Sequence, residues 1–363
     1  DGVYIPRMRI YFEGRLTEPY RYEISLQRSV EGIFDLLDAN LDIRVREEFQ
    51  IRLGRTLIPY SYTWYDHLEQ YFIVPERPLF PLNFGLSRAA GVQVWGVDEA
   101  RTWQYSFGVF DGRAAGIADN STTVDAVGYL NFRPFACRSG GFCRFLNFGG
   151  SLVVGEAKVP SPILPGRTSI QSSENDEAAV AASAVFLEFD EEVLGSGDRL
   201  IGAVHVANYA GPMSFEAEWN ALDNEVLDER NGEQIRVPAS GFHVTLASFL
   251  TGETVEGREE VIPLRPFDPR RGCSNLGAFE AFARFSLLQF GNELFDQDLA
   301  DRDDWTDRVA MTDIGINWYL NRWAKFYLDW QHANYATPVL INENTDRRSV
   351  YNDLLWARCQ VYF

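Results

Sequence analysis

The chain has 363 residues, 46% of them hydrophobic, yet no apolar run approaches the about 18 residues a membrane-spanning helix needs, which argues against a helical membrane protein. The formal net charge of −19, from 33 basic and 52 acidic residues, argues against nucleic acid as a partner. A membrane β-barrel is not excluded, because its strands alternate and escape hydropathy scans. The 26 Phe, 16 Tyr and 9 Trp suit a lipid-facing surface with aromatic girdles.

Strict alternation is the dominant local pattern, and a period of two puts successive residues on opposite faces of a strand. In 6–15, Met8, Ile10 and Phe12 face one way and Arg7, Arg9, Tyr11, Glu13 and Arg15 the other. In 37–46, Leu37, Ala39, Leu41, Ile43 and Val45 alternate with Asp38, Asn40, Asp42, Arg44 and Arg46. In 213–221, Phe215, Ala217 and Trp219 alternate with Ser214, Glu216, Glu218 and Asn220. In 324–331, Phe326, Leu328 and Trp330 alternate with Lys325, Tyr327, Asp329 and Gln331. The last segment ends the series with Leu355, Ala357, Cys359, Val361 and Phe363 against Trp356, Arg358, Gln360 and Tyr362.

The predicted strands are 3–16, 20–29, 36–45, 48–60, 90–98, 101–111, 124–134, 144–156, 199–208, 212–221, 240–251, 277–288, 309–320, 323–333 and 351–363. Most span about 10 residues, the length of a tilted membrane strand. Short turns such as 17–19, 209–212 and 321–322 alternate with long connections at 61–89, 112–123, 157–198, 222–239, 289–308 and 334–350. Short periplasmic turns and long outer loops are the barrel habit. Residues 252–276 are long but fall on the periplasmic side. Bacterial single-chain barrels have even strand numbers. Parity therefore puts a sixteenth strand ahead of residue 1, with 178–193 as the other source.

Cys137 and Cys143 flank the turn ACRSGGFC, where a disulfide suits an oxidising compartment. No cysteine or histidine spacing matches a zinc site and no HExxH occurs. No cofactor and no catalytic activity are expected. The long acidic outer loops, 296–307 among them, are candidates to hold Ca2+.

The stretches DANLDIRVREEFQIRLGRTLIPYS (38–61), LSRAAGVQVWG (86–96), AGPMSFEAEWNAL (210–222), GFHVTLASFLTGE (241–253), LGAFEAFARFSLL (276–288), GINWYLNRWAKFYLDWQ (315–331) and WARCQVYF (356–363), in this order, resemble the phosphate-selective porin O and P family. The resemblance covers nearly the whole chain. It implies one 16-stranded antiparallel barrel over 1–363, usually a homotrimer among outer-membrane lipid and lipopolysaccharide, passing small anionic or neutral solutes. It also implies an inward-folding loop, here 61–89, with Arg77 and Arg88 at the constriction. Loops 157–198 and 252–276 look like further inward segments. The alternation ending at Phe363 resembles the signal read by the outer-membrane assembly machinery.

A channel needs charges that admit an ion yet release it, and guanidinium offers planar paired donors to phosphate-like anions. Strand parity points Arg7, Arg9, Arg15, Arg44, Arg46, Arg52, Arg133, Arg284, Arg358 and Lys325 inward. Opposite them stand Glu13, Glu23, Asp38, Asp42, Glu216, Glu218, Glu280, Asp313 and Asp329. Pairing of these charges into wall salt bridges that select nothing is the alternative to an anion filter. With Lys158 and Lys325 as the only lysines, any anion site rests on arginine. The competing functions are a structural barrel that anchors envelope or surface-layer components, and a secreted soluble β protein.

Overall fold

The structure is a computed structural model and describes residues 5, 8–28, 34–112, 123–169, 184–342 and 347–362. Two of the residues named above, Arg7 and Phe363, lie outside that set. The first strands are β1 (Met8–Thr17), β2 (Tyr20–Arg28), β3 (Phe34–Arg46), β4 (Phe49–Leu57), β5 (Arg88–Val97), β6 (Trp103–Asp111), β7 (Val124–Phe132) and β8 (Asn147–Pro162). Two short strands follow, β9 (Gly166–Arg167) and β10 (Val185–Leu187). The rest are β11 (Val193–Ala210), β12 (Met213–Asp228), β13 (Glu233–Phe249), β14 (Ala278–Phe290), β15 (Arg308–Asn321), β16 (Ala324–Asn342) and β17 (Arg347–Val361). Helices are minor: α1 (Leu79–Phe84) and α2 (Glu293–Asp296).

All strands but β9 and β10 form one 15-stranded antiparallel sheet in chain order, with β1 and β17 as its edges among the described residues. Each of the fifteen predicted strands has its counterpart here. Of the range 178–193, residues 178–183 lie outside the described set; among 184–192 the one strand is β10, which pairs with β9 and not with this sheet. The tight turn from β11 to β12 is Gly211–Pro212, and Gly211 sits at φ +61, where a side chain would be strained.

The two faces differ as the alternation requires. Large apolar side chains stand exposed along one face, among them Phe12, Val92, Phe107, Leu152, Val204, Trp219, Leu246, Ile314, Leu328 and Leu355. Leaving a side chain of this size in water rather than burying it forfeits about 1.5–3 kcal/mol. A band of them across the whole sheet makes physical sense only against lipid or a partner subunit. The opposite face carries buried polar residues such as Asn40, Gln93, Asn131, Glu218, Arg284, Asp313 and Lys325.

Three expected long connections are shorter than the sequence suggested. Residues 222–239 are the continuing arms of β12 and β13, joined by a turn whose Gly232 N–H reaches the carbonyl of Asp228 at 2.8 Å. Strands β16 and β17 run on to Asn342 and back from Arg347, and β8 reaches Pro162. The reason lies in the inward face. Beyond the membrane span its residues turn apolar: Val226, Val237, Leu288, Val309, Met311 and Val339 are buried in one cluster with Leu79 and Phe80 of α1 and Phe186 of β10. Both faces then read apolar or mixed, and the polar-inward alternation that marks a barrel strand fades from the sequence.

Candidate functional site

The concave face of the sheet is occupied by the β4–β5 connection. Its first part meets strands far apart in the order of the sheet. The Tyr60 hydroxyl donates to Asn220 of β12 at 2.8 Å, and Ser61 N donates to Ser151 of β8 at 3.0 Å. Glu218 of β12 accepts from the Ser61 hydroxyl at 2.7 Å and from Tyr62 N at 2.6 Å. Gln93 of β5 donates to the Tyr65 hydroxyl at 2.7 Å, and Gln104 of β6 to Asp66 at 3.0 Å.

The second part runs as a strap, opening on a 3-10 turn at Glu69–Tyr71, past the last four strands. Gln360 donates to the carbonyl of Gln70 at 3.1 Å, Lys325 to that of Phe72 at 2.5 Å and Asn317 to that of Ile73 at 2.8 Å. Arg358 donates to the Pro75 carbonyl at 2.5 Å, and Arg284 to the Glu76 carbonyl at 2.6 Å. One connection reaching β5, β6, β8, β12 and β14–β17 requires the sheet to curl around it.

The connection between β13 and β14 enters the same interior. Its Arg258 is almost wholly buried and bridges Glu216 of β12 at 3.2 Å and Glu280 of β14 at 3.0 Å. Arg258 also donates to Ser214. Burial works against its charge, but Glu280 and Glu216 outweigh it and hold the guanidinium above its ordinary value. His67 of the β4–β5 connection stands 3.9 Å from the same Glu216. That pairing would raise its pKa, but burial, the larger effect, lowers it from the ordinary value. The imidazole is therefore neutral, and the contact with Glu216 is not an ion pair.

The predicted arginines divide sharply. Arg77 is buried, donates to the Thr63 carbonyl at 2.6 Å, and lies 3.8 Å from the Trp64 ring centre and 4.6 Å from that of Phe72. It fastens the connection to itself. Arg88 contacts Asp38 at 3.2 Å, and the same carboxylate accepts from Ser25. Arg52 forms a two-pronged pair with Asp42 at 3.0 and 2.8 Å. Arg284 pairs with Asp313 at 2.8 Å and Arg358 with Glu76 at 2.6 Å. Arg133 lies 3.8 Å from Asp66, and Arg9 donates to Gln27 at 2.7 Å.

Arg44 and Arg46 are different. With Arg15 and Arg21 they surround a cavity of about 340 Å³ that Glu18, Glu47 and Gln50 complete. Register explains the convergence: Arg15 lies opposite Arg21, Arg21 opposite Asp42, and Arg44 opposite Gln50. The nearest ion pair in the group is Arg15–Glu18 at 3.8 Å. No salt bridge is formed by Arg21, Arg44 or Arg46 among the described residues, and the buried Nε atoms of Arg21 and Arg44 have no hydrogen-bond partner. Sequence reasoning passed over Arg21, although Arg21, Glu23 and Ser25 alternate in β2. It also missed Arg258, which no strand pattern could reveal.

Cys137 and Cys143 are exposed free thiols, so the expected bridge is not formed. They sit in separate small turns, closed by Arg138 N to the Phe135 carbonyl at 2.9 Å and by Leu146 N to the Cys143 carbonyl at 3.1 Å. Among the described residues no group of three or more His, Cys, Asp or Glu could hold a metal ion, so nothing there answers the expectation of loop Ca2+.

A sequence model of the family described as phosphate-selective porin O and P matches residues 1–363. Porin O of Pseudomonas aeruginosa is 26% identical over 186 residues, 51% of this chain and 41% of that protein's length. Two solved structures share the fold. A loop L8 deletion mutant of OmpT, an outer membrane protein of Vibrio cholerae, is 9% identical, with 98% of this chain and 90% of that one covered and a TM-score of 0.53. Salmonella typhi OmpF is 12% identical, with 98% and 89% covered and a TM-score of 0.50. A one-chain antiparallel sheet, apolar outside and polar inside, matched end to end by that family model, means that the chain belongs to the phosphate-selective porin O and P family, as an outer-membrane β-barrel protein.

Proposed function

We propose that the chain forms a passive diffusion pore for small solutes that prefers anions of the phosphate class, and that it works as a homotrimer. The observation that carries this reading is the cavity between Arg15, Arg21, Arg44 and Arg46. Most other wall charges are neutralised in pairs and contribute little field. Here guanidiniums converge with too few carboxylates to pair them, so a passing anion is the natural counter-ion. The connections 61–87 and 250–277 narrow the lumen, together with the described parts of the β8–β11 connection, 163–169 and 184–192. Arg77 acts by holding the first of them in shape, and Arg88 by tying its end to Asp38. The outward apolar band meets lipid, lipopolysaccharide and neighbouring subunits. Family and fold both support a channel rather than an enzyme.

Planar-bilayer recording in a salt gradient tests the reading. An anion-selective reversal potential that falls toward zero in Arg21→Ala plus Arg44→Ala is the expected result. Absence of any conductance would remove it. The apolar cluster that fills the loop end favours a second reading, a structural barrel without a through-path, and that outcome would select it.

A further inference from the structure

The wall that faces the strap 70–76 is chemically unlike the wall that faces α1. In the cluster that also holds α1 and β10 the inward residues are Leu288, Val309, Met311 and Val339, as a permanently covered surface should be. Further along the same strands, toward the strap, they are largely polar, and Arg284, Asn317 and Lys325 donate to its carbonyls. Six buried atoms there have no hydrogen-bond partner: Nδ1 and Nε2 of His243, Oγ of Ser286, Nη2 of Arg284, Oδ1 of Asn317 and Oδ1 of Asp329. Register makes them one patch across β13–β16, with His243 opposite Ser286, Arg284 opposite Asp313 and Asp329 opposite Gly315. Buried polar groups are satisfied in nearly all folded proteins. The cavity that touches Arg284 has about 30 Å³, room for about one water, and one water cannot serve all six atoms.

The strap's own attachment has the matching character. It is held by side-chain donors on its carbonyls, which water can replace, and by the Arg358–Glu76 ion pair. Its apolar contact is small, Ile73 and Val74 against Ala247 and Phe282. The chain after it is fixed, because Leu79 and Phe80 are locked into the cluster at the loop end.

We infer that the strap 70–76 is a displaceable cover, hinged at Pro78, over a wall built to face water, and that its displacement gives the pore a second, wider state. This rests on the reading of the chain as a pore. The uncovered surface brings Glu280, Asp313 and Asp329 into the lumen against Arg284, Lys325 and Arg358, a balanced set of charges. The wide state is therefore less anion-selective than the narrow one and admits dipolar, zwitterionic solutes.

The test combines recording with labelling. Arg358→Ala removes two contacts to the strap. It is expected to raise the occupancy of a larger conductance level at least about tenfold, the smallest factor that one charge-assisted hydrogen bond carries in an equilibrium, with a reversal potential nearer zero. In a background whose native cysteines are serines, the thiol of Ser286→Cys should react with a charged methanethiosulfonate reagent, and faster by the same factor when Arg358→Ala is added. Replacing 68–77 by a short Gly-Ser linker should fix the wide level. A single conductance level in all three proteins, with an unreactive thiol at position 286, would overturn the inference while leaving the pore intact. No conductance in any of them would instead remove the pore reading.

Discussion

The Arg358 guanidinium, on the last strand, lies 2.6 Å from the Glu76 carboxylate in the β4–β5 connection. The two are 282 residues apart in sequence, and Glu76 is 5% exposed. Removing one partner of a buried pair leaves the other charge stranded, at a cost of about 3–5 kcal/mol. Glu76→Gln, which keeps shape and hydrogen bonding, should cost less than Arg358→Ala. A double-mutant cycle read by denaturant unfolding in detergent micelles checks this. Additive effects would show that the two side chains do not interact.

The arginine cavity gives a salt-dependent signature. The Debye length falls from about 30 Å at 0.01 M to about 3 Å at 1 M. The selectivity difference between the protein and Arg44→Ala should therefore be large in dilute salt and nearly vanish in concentrated salt. A difference independent of ionic strength would mean that Arg44 acts through shape instead of charge.

His67 gives the pH dependence a sign. Its folded pKa is depressed by burial, with Arg258 and Arg77 acting in the same direction and Glu216 and Asp66 against it. Between the ordinary histidine value and the lower folded one, the unfolded chain binds a proton that the folded protein does not. Stability is thus present above about pH 6.5 and declines as the pH falls below it. His67→Gln should flatten that decline between pH 7 and pH 5. Thermal unfolding of both proteins at the two pH values measures it, and parallel losses would exclude His67 as the source.

The outward band predicts a positional penalty. Arginine placed at the lipid-facing midplane of a barrel costs about 2–4 kcal/mol. Leu246→Arg, at a position 54% exposed on the outer face, should show such a loss in unfolding measurements. The inward neighbour Thr245 should tolerate arginine better if water reaches it.

Cys137 and Cys143 are exposed and unbridged. Both should be alkylated by a maleimide in protein purified without reductant. Labelling only after reduction would show that a bridge forms.

The strands were legible where two solvents meet. Phe215, Ala217 and Trp219 against Glu216, Glu218 and Asn220 report lipid on one side and a polar interior on the other. The same strand became illegible at Val226, whose inward side packs on apolar neighbours. The site was harder. That Arg52 faces Asp42 follows from register, which alternation alone leaves open by whole pairs of residues. Arg77 was found by its place in an inward loop, but its stacking between Trp64 and Phe72 is tertiary packing with no spacing rule behind it. Arg258 sits in a loop that carries no periodicity, so only its length on the periplasmic side marked it.

The strands are also unequal. Strand β2 has 9 residues and β16 has 19. At about 3.3 Å per residue these are roughly 30 and 60 Å of chain, against a hydrocarbon thickness of about 30 Å. One flank of the barrel ends near the membrane surface while the other stands well above it. The loop end of the wall is therefore low on the β2 flank and high on the β16 flank, while the unpaired arginines, beside the β1–β2 and β3–β4 turns, lie at the other end. A large body approaching that loop end meets the β16 flank before it can reach the β2 flank.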